Sequence, residues 1–139
     1  MSESFQLGSK KVGGSNPTYF IADISANHDG DLHRAIDLIY MAADAGADAA
    51  KFQHFEAAKI VSDYGFRSLE EQSHQKKWKK SVFEVYEDAS VPRTWTETLQ
   101  NTCNKAGIDF FSAPYDFEAV DLLNRCNVPA HKIGSGDIT

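Results

Sequence analysis

The stretch from Tyr19 to Phe55, YFIADISANHDGDLHRAIDLIYMAADAGADAAKFQHF, decides the fold. Tyr19 to Ser25 carries apolar residues on both faces, the pattern of a strand covered on both sides. Asp29, Gly30 and Asp31 then supply a turn and an N-cap, and Leu32, Ile36, Ile39 and Ala43 recur at helical spacing until Gly46 ends the run. Ala47 to Phe55 reads as a second strand, reached through the tight connection AGADAA. Strand, helix and parallel strand make a βαβ unit.

Downstream the pattern repeats. Pro92 starts a helix that runs through Trp95, Leu99 and Thr102 to Ala106, with Gly107 as its stop. Ile108 to Ala113 is a third strand, Phe117 to about Arg125 a third helix, and Ala130 to Ser135 a fourth strand. Glu56 to Val91 is too long for a structureless loop in a compact domain, so short helices are expected within it. Its basic knot KKWKK, Lys76 to Lys80, has acidic or neutral flanks and reads as a solvated helical face with one anchoring Trp. Residues 1–18 are a polar N-terminal segment, expected to form a small hairpin ahead of a domain over residues 19–139. Alternating strands and helices predict an α/β class with a parallel sheet: an open doubly wound sheet, or the first four βα units of a (β/α)₈ TIM barrel.

Composition narrows the function classes. Fourteen Lys and Arg against 20 Asp and Glu leave a net charge of −6, a poor balance for a nucleic-acid binder that needs many phosphate contacts. No apolar run approaches the roughly 20 residues of a membrane span, and the opening MSESFQLGSKKVGG lacks the apolar centre of a secretory signal, so a cytoplasmic protein is expected. Cys103 and Cys126 have no CxxC spacing and read as free thiols.

In parallel α/β folds, chemistry collects where strands give way to the following loops. Strand one delivers Asp23, Ser25, Asn27 and His28 there; strand two delivers Lys51, Gln53 and His54. Strand three adds Ser112 and Asp116, and strand four Lys132, Ser135 and Asp137. Strict alternation puts Asp23, Ser25 and Asn27 on one face, and Lys51 with Gln53, so Asp23 and Lys51 can meet on neighbouring strands. A buried ion pair stabilises poorly. With Lys132 and Asp137 added, a site for a small anionic substrate is the better account: two lysines suit a phosphate and a carboxylate, and the turn GSGD at Gly134 to Asp137 offers backbone N–H groups. Lys132 is out of phase with Ser135 and Asp137, so these three share a pocket only if Gly134 and Gly136 break the alternation. His28, His54 and His131 lack metal-ligand spacing; His28 is expected in a structural or substrate-contact role.

Four ordered segments, Tyr19 to Phe55, SVFEVYEDASVP, DFFSAPYD and HKIGSGD, resemble the sialic acid synthase family, which includes the N-acetylneuraminate, legionaminate and pseudaminate synthases. The resemblance implies a (β/α)₈ barrel, of which this chain would hold the N-terminal half. It also implies condensation of phosphoenolpyruvate with an N-acylated hexose-type aldose such as N-acetylmannosamine, giving a nine-carbon 2-keto sugar acid and phosphate. Lys51, Lys132 and Ser135 fall on positions that bind phosphoenolpyruvate in the family, while Asp23 and Asp137 fall on acidic positions, usually glutamates, that contact the sugar or manage protons. Gln53, Ser112, Asn27 and His28 complete the candidate substrate contacts, with Ser112 expected to cover in part for Ala113, which stands where a hydroxyl residue is common.

A divalent metal, manganese or magnesium, is implied as cofactor, with its ligands outside this chain. The expected partners are the two substrates and a missing C-terminal half or complementing chain, in a homo-oligomer, since half a barrel exposes its inner face and strand edges. Alone, the chain is expected to be inactive. The competing readings are a Schiff-base aldolase using Lys51 or Lys132, a deoxy-octulosonate phosphate synthase-like barrel, and a non-catalytic half barrel that binds or assembles.

Overall fold

A computed structural model of the chain describes residues 3–62, 64–65 and 80–135. The polar opening forms an antiparallel hairpin of β1 (Ser4–Leu7) and β2 (Lys10–Gly13), in register Ser4 with Gly13 and Leu7 with Lys10. A parallel sheet follows, with β3 (Ile21–Asp23), β4 (Ala49–His54) and β5 (Asp109–Pro114) lying in that order. Helix α1 (Leu32–Asp44) crosses from β3 to β4. Short helices α2 (Ala57–Ile60) and α3 (Val82–Ala89) occupy the mixed region, as its length required, and Lys76 to Lys79 of the basic knot lie outside the described residues. A 3₁₀ turn, Arg93–Trp95, leads into α4 (Thr96–Ala106), and α5 (Phe117–Arg125) follows β5.

Caps set these boundaries. Asp31 accepts hydrogen bonds from the His33 and Arg34 amides and starts α1; Ser81 and Glu84 cap α3 reciprocally as a capping box; Asp116 accepts from the Ala119 amide and starts α5. Gly107 closes α4 at φ 76, in the left-handed region where a Cβ is penalised.

The fourth strand is reduced to one parallel bridge, between Ser112 and His131. The expected strand from Ala130 to Ser135 therefore does not form as a ladder; the Lys132 amide donates to the Ser112 carbonyl at 3.1 Å, and the chain then turns. Pro129, which has no N–H to donate, stands at the entry to this segment.

Helices cover one face of the sheet. Ala50, Phe52 and Phe110 point there and pack with Ile24, Ala35, Ile39, Leu99, Cys103 and Leu123 in a single core. Cys103 and Cys126 are free thiols, the first buried in that core. The hairpin sits at the opposite end of the strands from the loops: Lys10 pairs with Asp48, just before β4, and a Cβ on Gly8 would run into the carboxylate of Asp109, the first residue of β5.

Replacing the cap Asp31 by Ala leaves the His33 and Arg34 amides unpaired, at a cost of about 1 kcal/mol. A melting temperature lower by roughly 2–5 °C, with the helical circular-dichroism signal intact below the transition, is the expected outcome.

Candidate functional site

Parallel pairing aligns Asp23 of β3 with Lys51 of β4 and Lys51 with Phe111 of β5. Alternation then sends Asp23, Lys51, Gln53, Phe111 and Ala113 to the face away from the helices. On that face the Lys51 ammonium lies 2.8 Å from Asp23 Oδ2. The pair is asymmetric in solvation: the lysine side chain is 10% exposed and the carboxylate 57%. A nearly dry cation thus faces a half-wet carboxylate, for which water already competes.

Strict alternation fails just beyond Asp23. Both the Ile24 and Ser25 amides donate to the Lys51 carbonyl, at 2.9 and 3.1 Å, so two residues of one strand oppose one of the other, as in a β-bulge. Ser25 takes φ 50, and a run of turns carries the chain to α1. Ile24 enters the core, while Ser25 and Asn27 no longer follow Asp23, contrary to the single polar face expected of them. Asn27 is exposed in the turns, its carbonyl accepting from Arg34 Nε at 2.7 Å.

His28 and Ser112 belong to the other side. His28 is fully buried, edge-on to Trp95 with ring centroids 5.7 Å apart, and its Nδ1 accepts from the Gly30 amide at 3.0 Å. Its Nε2 meets no partner in hydrogen-bonding geometry, although the Ala89 carbonyl lies in electrostatic reach, and burial holds the ring below the usual histidine range. Ser112 pairs with Phe52 and so faces the helices, fully buried. It cannot stand in for the hydroxyl that Ala113 lacks, because Ala113 is on the Lys51 side and Ser112 is not.

Ser112 instead contacts His54, a residue whose role its sequence did not reveal. The hydroxyl lies 2.6 Å from His54 Nδ1, and His54 Nε2 lies 2.8 Å from Thr96 Oγ1 at the start of α4. Just outside, Arg93 makes a bidentate pair with Asp116 at 2.9 and 2.7 Å, reaches Glu56 at 2.7 Å, and with Lys59 holds Glu118. This cluster ties the segment after β4 to the segment after β5. Burial works against the Asp116 charge, but the Ala119 amide and Arg93 hold its carboxyl below the usual range.

Lys132 follows the bridge residue His131, whose Nε2 lies 3.0 Å from Asn124 Oδ1 of α5. His131 thus faces the helices, and Lys132, the next residue, is exposed, with its amide donating to the Ser112 carbonyl at 3.1 Å. Ser135 is exposed in the turn that follows, and Asp137 lies outside the described residues. Among the described residues no three His, Cys, Asp or Glu side chains converge to hold a metal ion, and His54 has both ring nitrogens engaged. These residues do not fit a metal centre. A cleft of about 760 Å³ opens between Ala26–Gly30 and α3, lined by Asp29, Lys80, Val85 and Asp88 among others, and it contains none of Asp23, Lys51 or Lys132. No helix of the described residues is long and apolar enough to cross a membrane.

The NeuB family matches residues 38–139. The chain belongs to that family. It is 33% identical to the N,N'-diacetyllegionaminic acid synthase of Legionella pneumophila, over 95% of this chain and 37% of that protein. It is 37% identical to the human N-acetylneuraminate-9-phosphate synthase, over 91% of this chain and 34% of that protein. In structure it resembles the N-acetylneuraminic acid synthetase of Leptospira borgpetersenii, solved with citrate, at TM-score 0.80 and 32% identity, covering 99% of this chain and 43% of that one. The chain thus spans about a third of the length of the curated relatives, and its α/β fold resembles the corresponding part of that synthetase.

Burial, and the nearby Arg93 charge, push His54 down to about 4 from the 6.5 of a free histidine. The unfolded chain therefore takes up a proton on this ring between pH 6.5 and 4 while the folded chain does not, so stability is full above 6.5 and falls as the pH drops through that window. The loss is roughly 3 kcal/mol by pH 4. Denaturant unfolding at pH 7 and at pH 4.5 checks this: His54→Asn should flatten the slope, leaving the smaller part due to His28, which is shifted the same way.

Proposed function

We propose that this chain is the N-terminal part of the catalytic (β/α)₈ barrel of a sialic-acid-type synthase, which joins phosphoenolpyruvate to an N-acylated hexose-type aldose and releases phosphate. The observation that carries the reading is the Lys51–Asp23 pair, with a nearly dry ammonium and a half-exposed carboxylate at the ends of adjacent parallel strands. Family membership and the two named synthases among the relatives support the reaction class.

In this reading Lys51 and Lys132 neutralise the phosphate and carboxylate of phosphoenolpyruvate, with the Ser135 hydroxyl as a further donor. Gln53, which shares the Lys51 face, contacts the sugar, and Asn27 lies at the rim. The enol carbon attacks the aldehyde carbon, water supplies the new oxygen, and phosphate departs. Asp23, half in water and hydrogen-bonded to Lys51, orients the water or a sugar hydroxyl, and Asp137 shares this task. The divalent metal is held by residues outside this chain, and no step above passes through it.

Later strands complete the barrel, from a longer product or a complementing chain, and the assembly is a homo-oligomer in the cytoplasm. Among the described residues β3 pairs with β4 alone, and Phe20 and Ile21 beside its open edge are 61% and 46% exposed, which suits addition of a further strand.

Co-expressed with the later βα units of a family member, the chain should release phosphate from phosphoenolpyruvate in the presence of manganese and N-acetylmannosamine or a related aldose. Lys51→Ala should lower that rate by roughly 100-fold or more. A soluble complemented pair with no turnover on any such acceptor would sink the synthase reading.

A further inference from the structure

Ser112 and His54 are out of reach of any substrate, at 0% and 1% exposure. Both are nevertheless built into the backbone that carries the two lysines. Ser112 is the residue to which the segment after α5 attaches: its carbonyl accepts the Lys132 amide, and it forms the parallel bridge with His131. His54 ends β4, directly after Gln53 and three residues after Lys51. Beside the β4–β5 ladder that already pairs Ser112 with Phe52, the 2.6 Å contact between them adds a side-chain tie from the Lys132 anchor to the end of the Lys51 strand.

The proton inventory fixes the direction of this chain. Thr96 Oγ1 donates to the Arg93 carbonyl at 2.8 Å, so its one proton is spent there and it accepts from His54 Nε2–H. His54 Nδ1 is then bare and accepts from the Ser112 hydroxyl. The opposite tautomer would leave the buried Ser112 proton with no acceptor, an arrangement that folded proteins avoid. A neutral ring held from both sides is a rigid spacer between α4 and β5.

We propose that Ser112 and His54 are positioning residues that set Lys132 against Lys51 in the anion site without touching the substrate. This rests on the reading of Lys51 and Lys132 as the phosphoenolpyruvate lysines. Displacing Lys132 by an ångström is enough to lose a large factor in binding, because charge-assisted contacts require all donors in place.

Calorimetric titration of phosphoenolpyruvate into the full chain tests this, with wild type, Lys51→Ala, Ser112→Ala, Ser112→Thr and His54→Gln run in parallel. Nitrogen-15 spectra of the His54 ring accompany it. The expected result is binding weaker by about ten-fold in Ser112→Ala, with its melting temperature within a few degrees of wild type, and recovery to within about two-fold in Ser112→Thr. The ring spectrum should report a bare, hydrogen-bonded Nδ1 that shifts when the Ser112 hydroxyl is removed. Wild-type affinity in Ser112→Ala, alongside lost affinity in Lys51→Ala, overturns the positioning role and leaves the anion site standing. No difference between wild type and Lys51→Ala overturns the anion site and this proposal with it. If Ser112→Ala does not fold, His54→Gln decides from the β4 end, by the same ten-fold loss or its absence.

Discussion

The alternation of side chains along Ala49–His54 is the constraint from which the rest follows. Phe52 must be buried, and it is, fully, against Phe110 and the helices. With that residue committed, Ala50 and His54 go to the same side and Lys51 and Gln53 to the other, because the side-chain period of a strand is two. A slip of one residue would put an ammonium into the aromatic core and expose Phe52. The cost of that exchange pins the register of both neighbours, Asp23 opposite Lys51 and Ser112 opposite Phe52.

Two kinds of interaction divide the molecule. The helix-covered face is held by apolar packing around Ile39, Phe52, Leu99 and Leu123, all fully buried, and that burial dominates stability. In the charged cluster of Arg93, Lys59, Glu56, Asp116 and Glu118 the Lys59–Glu118 pair is wet, at 35% and 69% exposed, and contributes little, while the bidentate Arg93–Asp116 pair is drier, at 28% and 13%. Its geometry matters more than its energy: it joins segments that leave adjacent strands, and loops carrying chemistry need such ties because few buried contacts hold them.

Much of this was legible in the residues. Helix limits follow from Asp31, Gly46 and Gly107, because caps and left-handed glycines are local signals, while the cap at Asp116, read from the sequence only as a strand-end polar residue, emerges from the structure. The Asp23–Lys51 encounter followed from alternation on two neighbouring strands. Alternation fails where the strand ends: beyond Asp23 both the Ile24 and Ser25 amides turn to the Lys51 carbonyl and Ser25 takes φ 50, an event without a side-chain signature, so Ser25 and Asn27 do not share the Asp23 face that alternation predicts for them. Ser112 was misjudged for a related reason. A serine beside Ala113 invites substitution for it, yet neighbours on a strand face opposite ways, and the partner that explains its hydroxyl, His54, is 58 residues away in sequence. The repeating strand and helix pattern predicts a fourth strand over Ala130 to Ser135, but one bridge is all that the segment makes.

The hairpin has a consequence for how such a chain can change over generations. It grips the starts of the strands, through Lys10 on Asp48 and Gly8 against Asp109, while Lys51, Gln53 and Lys132 lie toward the opposite ends. Substitutions that retune the reactive end need not disturb the grip, and damage to the grip need not alter the chemistry directly. Selection can therefore act on the two ends of the strands as nearly separate traits within one short polypeptide, with Asp48 and Asp109 tied to the hairpin end and Asp23 paired to Lys51 away from it.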